Sequence, residues 1–338
     1  SMKRTSLKDI AEKLQLSQTT VSWVLTGNGD RRGISKATQD LVRNCAAEMN
    51  YQPNLIARSL NLGKTKTLGL IIPSISDFFY SSIAMEIEQT ASKNGYSLMI
   101  ASSESNPEKE ENLLRTFRSK GVDGIIIAPT KKSKNEIKRL IKEKFPIVSF
   151  DRFFPDLEMS SIVIDNKESS YKLVRHLIRK GCKKIAVITT NPHLITMCSR
   201  VDGYKQDLEE AGIDINPDLI GCVTYDKYEL NIINVLDAIF EKEADVDGFF
   251  FTTHILALEA FLYFNKKGIN FNEKFGLACI HSVSTFEILA PYINVAEMPV
   301  KEIGEKSVNI LLESIESKKK TDAARPYNLV LPCTLLYK

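Results

Sequence analysis

At 338 residues the chain is long enough for two or more domains, and its apolar and charged fractions (43% and 26%) are ordinary for a globular protein. No apolar run reaches membrane-spanning length and no secretory apolar core follows Lys3 and Arg4, so neither a span nor an export signal is expected. The net charge of +3 hides an asymmetry: residues 1–66 carry 11 Lys/Arg against five Asp/Glu, the rest 34 against 37, which is the footprint of a nucleic-acid-binding head.

The head reads as three short helices. Leu7, Ile10, Ala11 and Leu14 form the stripe of an amphipathic helix, with Ser6 and Asp9 as a capping box. Ser17 caps a second helix that buries Val21, Val24 and Leu25. Ser35 caps a third, with Thr38, Leu41, Cys45 and Met49 expected inward. Two helices joined by a tight turn and closed by a third make a helix-turn-helix, whose second helix enters the major groove. That nominates Ser17, Gln18, Thr19, Thr20, Ser22 and Trp23 as the DNA-facing set. Gln pairs with adenine, and Thr offers a hydroxyl and a methyl. A three-helix protein-interaction bundle is the alternative.

Residues 51–60, Tyr51-Gln52-Pro53-Asn54-Leu55-Ile56-Ala57-Arg58-Ser59-Leu60, follow the head. A helix this short is unstable alone and needs a partner to order it. From Thr67 short apolar runs alternate with helical stretches, the pattern of βαβ units and parallel sheets. Val-Asp-Gly followed by an apolar run occurs at 122–127 and again at 246–251, so two related doubly wound lobes are expected. Ligands in open α/β sheets sit at the carboxyl ends of the strands. The loops at 74–80, 102–106, 129–131, 151–152, 189–200, 252–254 and 280–282, together with Tyr225, are therefore nominated.

The order Leu7-Lys8-Asp9-Ile10-Ala11, Ser17, Thr20-Val21-Ser22, Ser35, Thr38 and then Tyr51-x-Pro53-Asn54-x-x-Ala57-Arg58-x-Leu60 resembles the LacI/GalR family of bacterial transcriptional regulators. The resemblance runs from Thr5 to the C-terminus. It implies an α/β protein: a head (1–52), a hinge helix and linker (53–66), and a body (67–338) like a periplasmic binding protein. It places lobe crossings near 162–165, 292–296 and 325–329, giving a first lobe of about 67–163 and 295–326 and a second of about 164–294 and 327–338. It implies that Asn54, Ala57 and Leu60 belong to a hinge helix on DNA, with Leu60 wedged in the minor groove. In the cleft it implies Asp77, Phe79, Tyr80, Asp151, Arg152 and Arg200.

Several positions depart from the family pattern. Trp23 stands where Arg is usual, Gln15 where a turn Gly is usual, and the loop 27–33 is longer and adds Arg31 and Arg32. Trp23 either packs on those arginines or touches a thymine methyl. His254 and His281 stand where the family often has carboxylates, which points to an anionic effector such as a sugar phosphate or uronate held with Arg200. A neutral sugar, or a metal on the two histidines, are the alternatives. The six cysteines form no C-x-x-C, so reduced thiols in a cytoplasm are expected. The expectation is a cytoplasmic homodimeric repressor of carbohydrate-related genes, with operator DNA and a small effector as partners, no cofactor, no metal and no catalysis. A solute-binding protein without DNA binding is the rival, as is a sugar-modifying enzyme.

Overall fold

The computed structural model describes residues 5–53, 63–224, 228–317 and 326–338. The chain divides into two compact units, Ser1–Thr65 and Lys66–Lys338.

In the head, helices span Leu7–Leu14, Gln18–Leu25 and Lys36–Glu48. Ser6 and Asp9 close the expected capping box, and Ser17 and Ser35 accept from the backbone N–H of Thr20 and Thr38. Ile10, Ala11, Val21, Val24, Val42, Cys45 and Ala46 form the core. Leu41 does not join it: the side chain is 52% exposed, while Gln39 and Val42 take the inward positions. The reason is the third helix's phase, set by Val42 and Cys45 at i, i+3, which turns Leu41 outward. Gln39 is buried because it organises the long loop. Its Nε2 donates to Asp30 Oδ1 and to the Ile34 carbonyl, both at 2.8 Å. A Cβ on Gly29 would stand 2.5 Å from Gln39 Cδ, so a larger residue there would push the Gln39 amide off its partners.

The body holds two six-stranded sheets. In the first, the strands are β1 (Thr67–Ile72), β2 (Ser97–Ser102), β3 (Gly124–Ile127), β4 (Ile147–Phe150), β5 (Ser160–Ile164) and β11 (Asn328–Leu331), in the order β11-β5-β4-β3-β1-β2. In the second they are β6 (Ile185–Thr190), β7 (Ile220–Val223), β8 (Gly248–Phe251), β9 (Gly276–Ile280), β10 (Asn294–Glu297) and β12 (Thr334–Leu336), in the order β12-β10-β9-β8-β6-β7. All pairings are parallel except β10 with β12. Central strands are buried on both faces, as parallel sheets between helices require. Their alternation divides two cores: Leu70 and Ile126 face one, Ile71, Ile125 and Ile127 the other.

The repeated Val-Asp-Gly has a structural cause. Asp123 Oδ2 accepts from the Lys66 backbone N–H at 2.9 Å, just before β1. Asp247 accepts from Lys183 at 2.8 Å and Lys184 at 2.9 Å, just before β6. Each aspartate thus ties the start of its lobe's first strand.

Strand membership moves two expected lobe boundaries. β10 pairs with β9 in the second sheet, so residues 294–297 belong there and the chain crosses at Met298–Pro299. β11 pairs with β5 in the first sheet, so the last crossing falls at Pro332–Cys333. The run 329–336 looks continuous in sequence, but Pro332 cannot donate to a ladder and splits it between sheets. Helix Val300–Ser317 packs on the first lobe's helix Phe78–Lys93.

Candidate DNA-reading and ligand-binding sites

The second head helix begins at the Ser17 cap. Ser17 Oγ accepts from Thr20 N–H at 3.0 Å and lies 2.8 Å from Thr20 Oγ1, so these two hydroxyls largely serve the cap. Gln18 and Thr19 are exposed in the first turn; Ser22 and Trp23 are half-buried. The Arg32 guanidinium lies 4.6 Å over the Trp23 ring, so Trp23 packs on the added loop. Asn54, Ala57 and Leu60 lie outside the described residues, as does Tyr225.

The cleft side chains come from strand ends and the first turns of the following helices. Asp77 caps helix Phe78–Lys93, with Oδ1 accepting from Phe79 N–H at 2.9 Å. Phe79 and Tyr80 follow in its first turn, buried, whereas Phe78 is 53% exposed. Tyr80 donates to Asp151 Oδ2 at 2.6 Å. Burial pushes the Tyr80 hydroxyl pKa well up, so it remains a donor. Asp151 follows β4, and Arg152 stands beside it, its Nε 3.9 Å from Asp151 Oδ2.

The second lobe supplies Arg200 and the histidines. Arg200 lies in helix Ile195–Glu210 and is 2% exposed. Its Nε donates to Asn166 Oδ1 at 2.8 Å and its Nη1 to the Thr252 carbonyl at 2.7 Å, while Nη2 lies 3.9 Å from the Met298 sulfur. His254 opens helix His254–Lys266, capped by Thr253. Its Nε2 lies 3.1 Å from Asp77 Oδ1, a bond between the lobes. His281 follows β9; its Nδ1 accepts from Met298 N–H at 3.1 Å. The proton therefore sits on Nε2, which is buried without a partner among the described residues. Burial, helped by His254, pushes the His281 pKa down to about 3, so the ring is neutral.

Asp77, Phe79, Tyr80, Asp151, Arg152, Arg200 and His254 all line one inner cavity of about 60 Å³. His281 stands behind it, 5.3 Å from Phe79 and 5.6 Å from His254 by ring centroids. The expected anion clamp of His254, His281 and Arg200 does not take shape here. His254 faces a carboxylate, His281 is uncharged, and the Arg200 contacts are internal. Sequence reasoning missed Met298 and Asn166, which help hold Arg200 and His281, while Thr252 fell within a nominated loop but acts through its backbone. Met298 had no chemical signal, and the Thr252 contribution is a carbonyl that any residue carries. Among the described residues no group of three or more His, Cys, Asp or Glu could hold a metal.

Residues 65–338 match the family described as periplasmic binding proteins and sugar binding domain of LacI family, and residues 6–54 match the bacterial regulatory proteins of the lacI family. The chain belongs to the LacI family. The ribose operon repressor of Haemophilus influenzae is 28% identical to it, covering 92% of both chains. Catabolite control protein A of Priestia megaterium is 27% identical, covering 94% of this chain and 95% of its own. In fold it is similar to the lac repressor dimer bound to operator and an anti-inducer, with a TM-score of 0.84 at 19% identity over 99% and 98% of the two chains. Membership accounts for both units of this LacI-family chain: a DNA-reading head and a ligand-binding body. No helix among the described residues is long and apolar enough to cross a membrane.

Proposed function

We propose that this protein is a cytoplasmic, homodimeric repressor of carbohydrate-related genes whose operator affinity is set by a small effector in the cleft. The observation that carries this reading is one chain holding a helix-turn-helix head and a two-lobed body whose facing strand ends converge on one cavity. The relatives support it: a ribose operon repressor, the HTH-type transcriptional repressor PurR and a catabolite control protein all match most of the chain. They are regulators, which favours binding over catalysis as the work of the cleft.

An effector acts only through its different affinity for two lobe arrangements. Asp77 and His254 join the lobes directly. An effector that displaces or reinforces this bond biases the lobe angle. The hinge residues 53–66 then transmit the change to the paired heads, which read a pseudo-palindrome matching their own symmetry.

Selection of bound duplexes from a random pool tests this reading. The expected product is a pseudo-palindrome whose retention changes with one member of a sugar panel and falls sharply in Leu60→Gly. Sequence-blind binding, or operator binding that no small molecule alters, would contradict it.

A further inference from the structure

Two wider hollows open at the mouth of the cleft, outside the inner cavity. One, of about 260 Å³, is lined by Lys131, Lys134, Arg152 and His193. The other, of about 840 Å³, shares Lys131, Arg152 and His193 and adds Lys132. The inner cavity has room for a few waters, while the outer volume lies in the range of small-molecule sites.

The mouth is crowded with positive charge. Lys131 and Lys132 form the turn Lys131–Ser133 after β3, both exposed, and neither has an ion-pair partner among the described residues. Arg152 projects from the loop after β4 and lines both hollows. His193 comes from the second lobe, in the loop between β6 and helix Ile195–Glu210. Burial, and then Lys131, Arg152 and Lys132, hold its pKa below the usual value, so cations of one lobe are felt by the imidazole of the other.

The nearby carboxylates neutralise only part of this charge. Asp156 is taken by Lys134. Asp151 accepts the Tyr80 hydroxyl and pairs with Arg152 at 3.9 Å, which leaves Lys131 and Lys132 as the mouth's cations without an ion-pair partner among the described residues. Glu110 is buried beneath the turn, accepts from Thr130 N–H at 3.0 Å and from Ser133, and has its pKa raised by burial. Cations gathered on one rim of a cleft attract a multivalent anion, and a neutral imidazole on the opposite rim can donate to it.

We propose that the mouth of the cleft is a phosphate subsite: Lys131, Lys132 and Arg152 of the first lobe and His193 of the second clamp the phosphoryl group of a phosphorylated sugar, whose neutral end reaches toward Asp77, Asp151 and His254. This rests on reading the cleft as the effector site. It places the charge recognition expected of His254 and His281 on other residues. Lys binds phosphate as a point charge and Arg as a planar fork, and salt screens both attractions. Because the cations come from the first lobe and the His193 N–H from the second, filling the subsite draws the lobes together.

Calorimetry on the full chain tests the subsite with matched pairs: glucose 6-phosphate and glucose, ribose 5-phosphate and ribose, fructose 1,6-bisphosphate and fructose, with glucuronate and inorganic pyrophosphate alongside. At least one phosphorylated sugar is expected to bind ten-fold or more tightly than its plain partner, and to weaken with salt. The exposed double variant Lys131→Gln/Lys132→Gln should lose ten-fold or more of that affinity with an unchanged thermal melt. Equal binding within every pair, binding of glucuronate alone, unchanged affinity in the double variant, or no binding by any phosphorylated sugar overturns the subsite. Operator retention read in parallel separates the two ideas. Release by a neutral sugar, equal in wild type and double variant, leaves the regulator standing and removes the subsite. Phosphate-dependent binding without any effect on retention keeps the subsite and removes the regulator.

Discussion

Asp151 and His281 occupy the same point in the two lobes. Each is the residue directly after a central strand, β4 or β9, and each is left-handed, with φ of 63° and 66°. Each backbone N–H donates to a carbonyl beside the next strand's ladder, Ile162 at 2.9 Å and Ala296 at 2.7 Å. A non-glycine residue in this region costs about 1–2 kcal/mol. The same strain held in both lobes, at the strand ends that face the cleft, marks these two positions as aimed side chains.

His281 makes stability depend on pH in a defined direction. Its folded pKa of about 3 lies below the ordinary value of 6.5. Below 6.5 the unfolded chain takes up a proton that the folded chain refuses. The contribution is therefore intact above 6.5 and is lost as pH falls toward 3, at up to about 1.4 kcal/mol per pH unit. Urea unfolding of wild type and His281→Gln at pH 7 and pH 5 should show the variant losing about 2 kcal/mol less over that interval. Parallel losses would mean that His281 is not buried and neutral.

The Asp77–His254 bond should couple the lobes energetically. The two side chains are 13% and 6% exposed, so neither is freely rescued by water. Asp77→Ala also removes a helix cap, at about 1 kcal/mol. A double-mutant cycle with His254→Ala separates the cap from the bond, because the cap loss appears in both arms. Denaturation should give a coupling of about 0.5–3 kcal/mol. Small-angle scattering of His254→Ala should show a wider body. Strict additivity with no change in scattering would count against a bond that bridges the cleft.

Gln15 ends the first head helix with φ of 53°, a left-handed cap on a residue that has a Cβ. Gln15→Gly removes the steric penalty but adds freedom to the unfolded chain, leaving a net gain of about 0.5–1 kcal/mol. Hydrogen exchange of the helix Leu7–Leu14 amides in the full chain measures this locally. Protection should rise several-fold; faster exchange would show that the Gln15 side chain contributes more than the backbone strain costs.

The sequence was legible where one residue type answers one physical need. Ser17 and Ser35 announce caps, the alternating apolar runs announce buried parallel strands, and the two Val-Asp-Gly repeats announce two lobes whose aspartates tie β1 and β6. Legibility failed where tertiary context decided. Residues 329–336 read as one strand until Pro332 divided them between sheets. Leu41 read as core until Val42 and Cys45 fixed the helix phase. The candidate cleft residues were nominated by strand-end position and by family, and seven of them line one cavity. What charge each presents there was not legible, because His254 meets Asp77 only across the lobes and the His281 ring is neutral only because it is buried.

Trp23 and Arg32 decide how the head departs from its family. The Arg32 guanidinium lies 4.6 Å over the indole, which braces the added loop from the reading helix. An exposed cation–π contact of this kind is worth about 0.5–1 kcal/mol. A ring engaged by Arg32 on one face offers less of itself to a thymine methyl, so bracing is expected to dominate base reading. Trp23 is the only tryptophan in the chain, which makes its fluorescence a direct report. Arg32→Ala should shift that emission without DNA present, and should weaken binding to all duplexes alike if Arg32 also meets a phosphate. Trp23→Phe should keep the selected operator sequence nearly intact. If Trp23→Phe instead relaxes preference at one base pair while Arg32→Ala leaves the emission unchanged, the indole reads DNA and does not brace the loop.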